Sequence, residues 1–397
     1  MKRSRTEPSV FPRQLLRQPR AGAEGLALGY IVFIAAAATL TGLACLLFPE
    51  LGALSHDVIT RPRGEWAHQP LRLALTPVLT AIIGTLVTRH LPYGVLSILL
   101  IVLASLLIIA LLRSTIAPAI SAGVLPLVLG VKTWMYPLGI LFGVALLAGL
   151  LIVWRRYGPL PPDTGAGPDR GDVDDVLESR PRGKRWLVVL LLFVTVTGLA
   201  AQGTGLRFIL FPPLIVMAYE MLGHPETCPW ARRPYSFPVA CLLTASGGLI
   251  AVRLLGTGPL AAGAAMAWGI LVLRVFDVHM PPALAVALLP LVMHAPDMRY
   301  PVSVVAGTVV LTATFLVWRR WEGPKPAATS EAWLGADPGA DPGAVPEAVP
   351  GAEEGGRGVD GQVPELVLVL ADDPGGSGAS SGAARERSAP GRPPDRS

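Results

Sequence analysis

Long apolar runs separated by short polar breaks dominate this chain. The runs at 25–48, 71–87, 93–112 and 135–154, and then at 186–203, 235–255, 259–273 and 301–318, carry few charges, and each comes near the ~20 residues a helix needs to cross hydrocarbon. They predict eight membrane-spanning helices. Two further apolar segments in each half are shorter: 48–60 and 116–130 in the first, 211–222 and 280–293 in the second. Lengths of about 10–14 residues suit re-entrant or interfacial helices better than full spans. Prolines stand at or near their starts, Pro49, Pro118, Pro212, Pro213, Pro281 and Pro282, where the missing N–H costs nothing and the fixed φ is already helical. Each segment is therefore predicted to be a half-helix that begins abruptly.

A half-helix that begins inside a membrane must find partners for its first amides, and a cavity holding water or an anion is one solution. The helix dipole adds partial positive charge at the same end. After Pro281 and Pro282, which have no N–H, such contacts fall to Ala283 and Leu284.

Composition agrees with a membrane protein. Of 397 residues 52% are hydrophobic and only 15% charged, and the mean hydropathy is +0.52, too apolar for an ordinary soluble enzyme of this length. The basic stretch before the first run lacks a small-residue cleavage site and reads as a retained tail. Cys45, Cys228 and Cys241 are scattered and imply neither a zinc site nor a disulfide framework. No zinc-protease, phosphate-loop or serine-hydrolase signature is present, so an enzyme is not expected and no metal or cofactor is implied.

Sliding the chain against itself by 164 positions places Trp66, Ala67 and Pro70 on Trp230, Ala231 and Pro234, and Leu79, Thr80, Ala81 and Gly84 on Leu243, Thr244, Ala245 and Gly248. Arg89 falls on Arg253, Tyr136 and Pro137 on Tyr300 and Pro301, and Trp154, Arg155 and Arg156 on Trp318, Arg319 and Arg320. Leucine-rich runs alone would not hold Trp, Tyr, Pro and Arg in register, which predicts an internal duplication.

Arg17 and Arg20 precede the first copy, Arg155 and Arg156 close it, Arg182, Lys184 and Arg185 open the second, and Arg319 and Arg320 end it. Lys and Arg at span ends favour the cytoplasm, so both copies are expected to start and finish inside and to run parallel. Arg61, Arg63 and Arg72 conflict with four crossings per copy, which would put them outside.

The expected fold is all-α: a polytopic membrane helix bundle of two parallel four-span repeats with short re-entrant or interfacial helices. The expected parts are a basic cytoplasmic tail (1–24), a first repeat (25–157), a charged Pro/Gly linker (158–185), a second repeat (186–321) and an acidic Pro/Gly-rich tail (322–397), the linker and last tail being too poor in apolar residues to order themselves. The expected location is the plasma membrane, multi-pass, with both termini cytoplasmic.

Candidate site residues come from polar groups among apolar neighbours. Arg274, Asp277 and His279 interrupt the stretch RVFDVHMPPALAVALLPLV; His279 with Asp277 can face a solute or relay a proton, or the three can pair with one another in an interfacial loop. Asp57 and Glu220 occupy matching places in the first short segment of each half, beside His56 and Tyr219. Recurring intramembrane acids suit a proton or cation site, and an interfacial position explains them equally well.

These residues also carry a resemblance. His279, Pro281, Pro282 and Ala283, with Met280 inserted, and the reduced copy Pro118–Ala119 resemble the His-Pro-Pro motif of the HPP family of membrane proteins. Phe211, Pro212, Pro213 and Leu214 resemble its Phe-Pro-Pro-Leu entry, which in the first half is Phe48, Pro49, Leu51 and Gly52 with Glu50 in place of the second proline. Gln69, Pro70 and Arg72 resemble its Gln-Pro-Arg turn. Some members of that family are described as nitrite transporters, so the resemblance implies a transporter or channel for a small solute, with a small inorganic anion such as nitrite favoured. The expected partners are the lipid bilayer and a small-molecule or anionic solute, with no nucleic acid. The alternative is a non-transporting scaffold or regulatory subunit acting through its linker and tail.

Overall fold

The structure, a computed structural model, describes residues 18–157, 181 and 183–322. They belong to one compact unit, 1–327; residues 1–17, most of the linker and the residues after 322 lie outside the described residues, while 18–24, expected in the basic tail, are helical. All regular structure among the described residues is helical. Among the described residues there are twelve α-helices: α1 (Gln18–Thr41), α2 (Glu50–Thr60), α3 (Pro70–His90), α4 (Val95–Leu111), α5 (Ala119–Leu129) and α6 (Met135–Tyr157), then α7 (Arg185–Thr204), α8 (Pro212–Gly223), α9 (Ser236–Leu255), α10 (Pro259–Phe276), α11 (Pro282–Leu288) and α12 (Arg299–Glu322). Short 3-10 turns at Ala44–Leu46 and Arg207–Leu210 precede α2 and α8, and another at Leu289–Leu291 extends α11.

Seven of these, α1, α3, α6, α7, α9, α10 and α12, are long and apolar enough to cross a membrane. The remaining expected span is α4, 17 residues long, which lies at the lower limit of a crossing helix, roughly 17–25 residues. Proline opens α3, α8, α10 and α11, while Gly130 and Gly205 end α5 and α7 in the left-handed conformation at φ 73° and 72°, the region glycine enters without steric cost. The protein is a polytopic membrane helix bundle.

Contacts fix the direction of each helix. At one end of the bundle, the near end, α1 begins and α6 finishes, and Arg155 of α6 donates to the Ala67 carbonyl in the loop after α2. At the far end Arg89, closing α3, donates to the Lys132 carbonyl between α5 and α6. Thus α2 brings the chain back to the near end, and α5 takes it out again. Neither short helix lies along a bundle end. Each starts at mid-depth: the Ala119 carbonyl accepts from Thr80, halfway along α3, and Leu51 packs on Gly143, well inside α6. Turns, 3-10 segments and irregular residues before each short helix complete the passage.

This route resolves the conflict over Arg61, Arg63 and Arg72, because all three stand at the near end. Among the described side chains Arg89, Lys132, Arg207, Arg253 and Arg299 lie at the far end, and every other Lys and Arg lies at the near end.

The two halves use the same contacts at positions 164 apart. Tyr136 donates to the Ala122 carbonyl and Tyr300 to that of Val286; Arg253 donates to the Pro296 carbonyl as Arg89 does to Lys132. Pairings between halves are reciprocal: α1 packs on α10 and α7 on α4, while α2 packs on α11 and α8 on α5. The short helices form the centre, fully buried from Glu50 to Ile59, from Ala119 to Val128 and from Pro282 to Leu288.

Candidate functional site

Polar side chains gather at two depths within this centre. The first group lies toward the near end, where the close of α2 meets α1 and the loop between α10 and α11. Asp57, whose side chain is 2% exposed, accepts from Arg61 one turn later at 3.2 Å, and its Oδ1 lies 3.0 Å from His279 Nε2. Beside it Glu24 pairs with Arg274 and lies 3.9 Å from His56. The His56 and His279 rings are 6.5 Å apart and join the two pairs into one cluster. Two of its contacts tie the halves together, Glu24–Arg274 and Asp57–His279, across 250 and 222 residues of sequence.

The matching places of the other half carry different residues. Glu220 occupies the place of Asp57 on α8 and is 4% exposed, but position 115, opposite it, is Thr where the other pairing has His279. Tyr219 stands in the place of His56 and packs edge-on against Trp186, ring centres 5.4 Å apart.

The second group lies at mid-depth. Glu50 opens α2 and is 1% exposed. Its Oε1 accepts a hydrogen bond from Ser121 in the first turn of α5, and its Oε2 is buried without a hydrogen-bond partner. Burying a carboxyl oxygen without a partner costs free energy. Tyr136 and Tyr300 are close enough to feel its charge.

Of the residues singled out by sequence, the fold brings Asp57 and His279 into direct contact. Asp277 is exposed and closes α10 in the left-handed conformation, φ 49°. The Ala283 and Leu284 amides, expected to face a solute, bond instead to the Met280 and Pro281 carbonyls, each at 3.0 Å. The first amides of α2 behave likewise, Leu51 and Gly52 bonding back to Phe48 and Pro49. These tight first turns satisfy the groups that would otherwise hold an anion. Sequence reasoning passed over Glu50, Ser121 and Glu24. Glu50 was visible only as a substitution in the Phe-Pro-Pro-Leu pattern, and Ser121 lies 71 residues away.

Among the described residues no group of three His, Cys, Asp or Glu side chains is placed to hold a metal ion. Two shallow grooves lie on the flanks: one of about 360 Å³ between α1 and α10, beside Glu24 and Arg274, and one of about 350 Å³ between Tyr235 and α12. Neither is lined by Glu50. Comparison with protein-family models, curated proteins and solved structures finds no match to this chain.

Proposed function

We propose that the protein is a transporter for a small solute, built from two duplicated halves that meet around the short helices. The observation that carries this reading is Glu50: a carboxyl held at mid-depth, where short helices from both halves pack together, with one oxygen left without a partner. Acidic groups inside membranes are costly and mark solute or ion pathways, and discontinuous helices meeting at mid-depth between repeats are where transporters hold their cargo. The near-end cluster, which bonds one half to the other, acts as a gate that closes this path on one side. The near end faces the cytoplasm, because it gathers most of the Lys and Arg.

The engaged first-turn amides disfavour a fixed anion site in this closed arrangement, so an anion such as nitrite enters only when those turns loosen. The second reading, a non-transporting scaffold, is favoured by the close packing around Glu50. Proteoliposomes holding the full chain, assayed against nitrite, nitrate and chloride and compared with empty liposomes, separate the two. Transport predicts flux of at least one solute, lost in Ser121→Leu, which crowds the Glu50 carboxyl, when equal amounts of reconstituted protein are compared. Absence of flux for every solute tested leaves the scaffold reading.

A further inference from the structure

We infer that Glu50 is a proton-carrying site, so that the protein moves its solute together with a proton; the solute-coupling part rests on the transport reading above. Three features of the residue point there.

The first is that Glu50 is not required as a helix cap. A carboxylate at a helix start commonly accepts from the first amides, yet the Leu51 and Gly52 amides are already bonded to Phe48 and Pro49. The matching position of the other half is Pro213, which opens α8 with no acid at all. Of the first amides only Glu50's own is left to face its carboxyl.

The second is the state of its two oxygens. Oε1 accepts from Ser121, and Oε2 has no partner in a fully packed surrounding. Oε2 is thus the place where a proton can be added: the carboxylate takes up one H⁺ and becomes a neutral acid, and giving it back restores the carboxylate, with no other bond made or broken. Ser121 bonds to Oε1 in both forms and keeps the carboxyl between α2 and α5.

The third is what surrounds it. The charge of Glu50 reaches Tyr136 on α6 and Tyr300 on α12, whose hydroxyls are committed to the Ala122 and Val286 carbonyls. None of the ion pairs among the described residues includes Glu50, the acids of the near-end cluster being held by Arg61, Arg274 and the two histidines. A hard metal cation requires six or so oxygen ligands, whereas one carboxyl and one hydroxyl meet here. A proton needs only the one free oxygen.

The test uses the full chain in lipid, with Glu50→Gln, which keeps the shape and removes the exchangeable proton, and Ser121→Ala, which keeps the carboxyl and removes its donor. Infrared difference spectra between acidic and alkaline buffer should contain a protonated-carboxyl C=O band that is lost in Glu50→Gln and shifted in Ser121→Ala. A spectrum unchanged by Glu50→Gln overturns the proposal. In proteoliposomes with a trapped pH dye, an inward gradient of whichever of chloride, nitrate or nitrite is carried should acidify the lumen with wild type, and that acidification should be lost in Glu50→Gln. Equal acidification by both also overturns it. If none of the three anions moves, the transport reading fails, and the infrared result still decides whether Glu50 exchanges a proton.

Discussion

A methyl group added at Gly84 would sit 1.9 Å from the Gly123 carbonyl oxygen, and one at Gly248 would sit 2.0 Å from that of Ala287. Both are backbone contacts, so nothing flexible can give way. These glycines let α3 approach α5 and α9 approach α11 closely, which is how membrane helices gain packing without a hydrophobic drive. Gly84→Ala or Gly248→Ala is expected to cost roughly 1–3 kcal/mol, the range for forced overpacking, measured by unfolding in detergent. Gly149→Ala, with nothing within 4 Å, is the control and should be neutral; equal loss in all three would remove the close-approach argument. The packing role of Gly84 and Gly248 was legible in sequence, because small residues recurring at a fixed offset inside apolar runs have few other uses. Glu50 was not. A charged residue after a proline reads the same at a bundle end as at mid-depth, and only the third dimension sets its depth and supplies Ser121.

At the scale of elements, hydropathy located every long helix, since a run of about twenty apolar residues leaves the backbone few other ways to satisfy its polar groups. Apolar length does not reveal which way a short helix points. Read as segments that stay near one side, α2 and its loop left Arg61, Arg63 and Arg72 misplaced; as a discontinuous passage, α2 puts them with the other basic residues. That passage also carries Asp57 to His279 and His56 toward Glu24, contacts that bind α2 to α1 and to the loop after α10, the second joining the halves. If Glu24–Arg274 holds α1 against α10, then Glu24→Arg or Arg274→Glu alone places like charges together and should cost at least the roughly 1.5–3 kcal/mol of a hydrogen bond to a charged group. The double exchange should recover most of it. Thermal unfolding in detergent measures this, and a double variant no more stable than the singles would mean that the pair does not clasp the halves.

For the whole molecule the question is sidedness. The helix directions put the end of α6, the start of α7 and the end of α12 at one face, and the turn between α5 and α6 at the other. The excess of Lys and Arg at the first face supports its proposed cytoplasmic placement under the positive-inside tendency. Tyr157 and Trp321 are 76% and 85% exposed, and Lys132 is exposed at the opposite end, so all three accept a reporter cysteine without disturbing the core. Of the native cysteines Cys228 and Cys241 are buried and Cys45 is half-buried, so replacing Cys45 with serine leaves a quiet background. A membrane-impermeant thiol reagent should label Lys132→Cys in intact cells, and Tyr157→Cys and Trp321→Cys only after permeabilisation. Tyr157 and Trp321 labelled from opposite sides would break the even number of passages that α7 to α12 require. Both labelled from outside, with Lys132 protected, would keep the fold and invert its orientation, and the cluster of Glu24, Asp57 and His279 would then close the outward path.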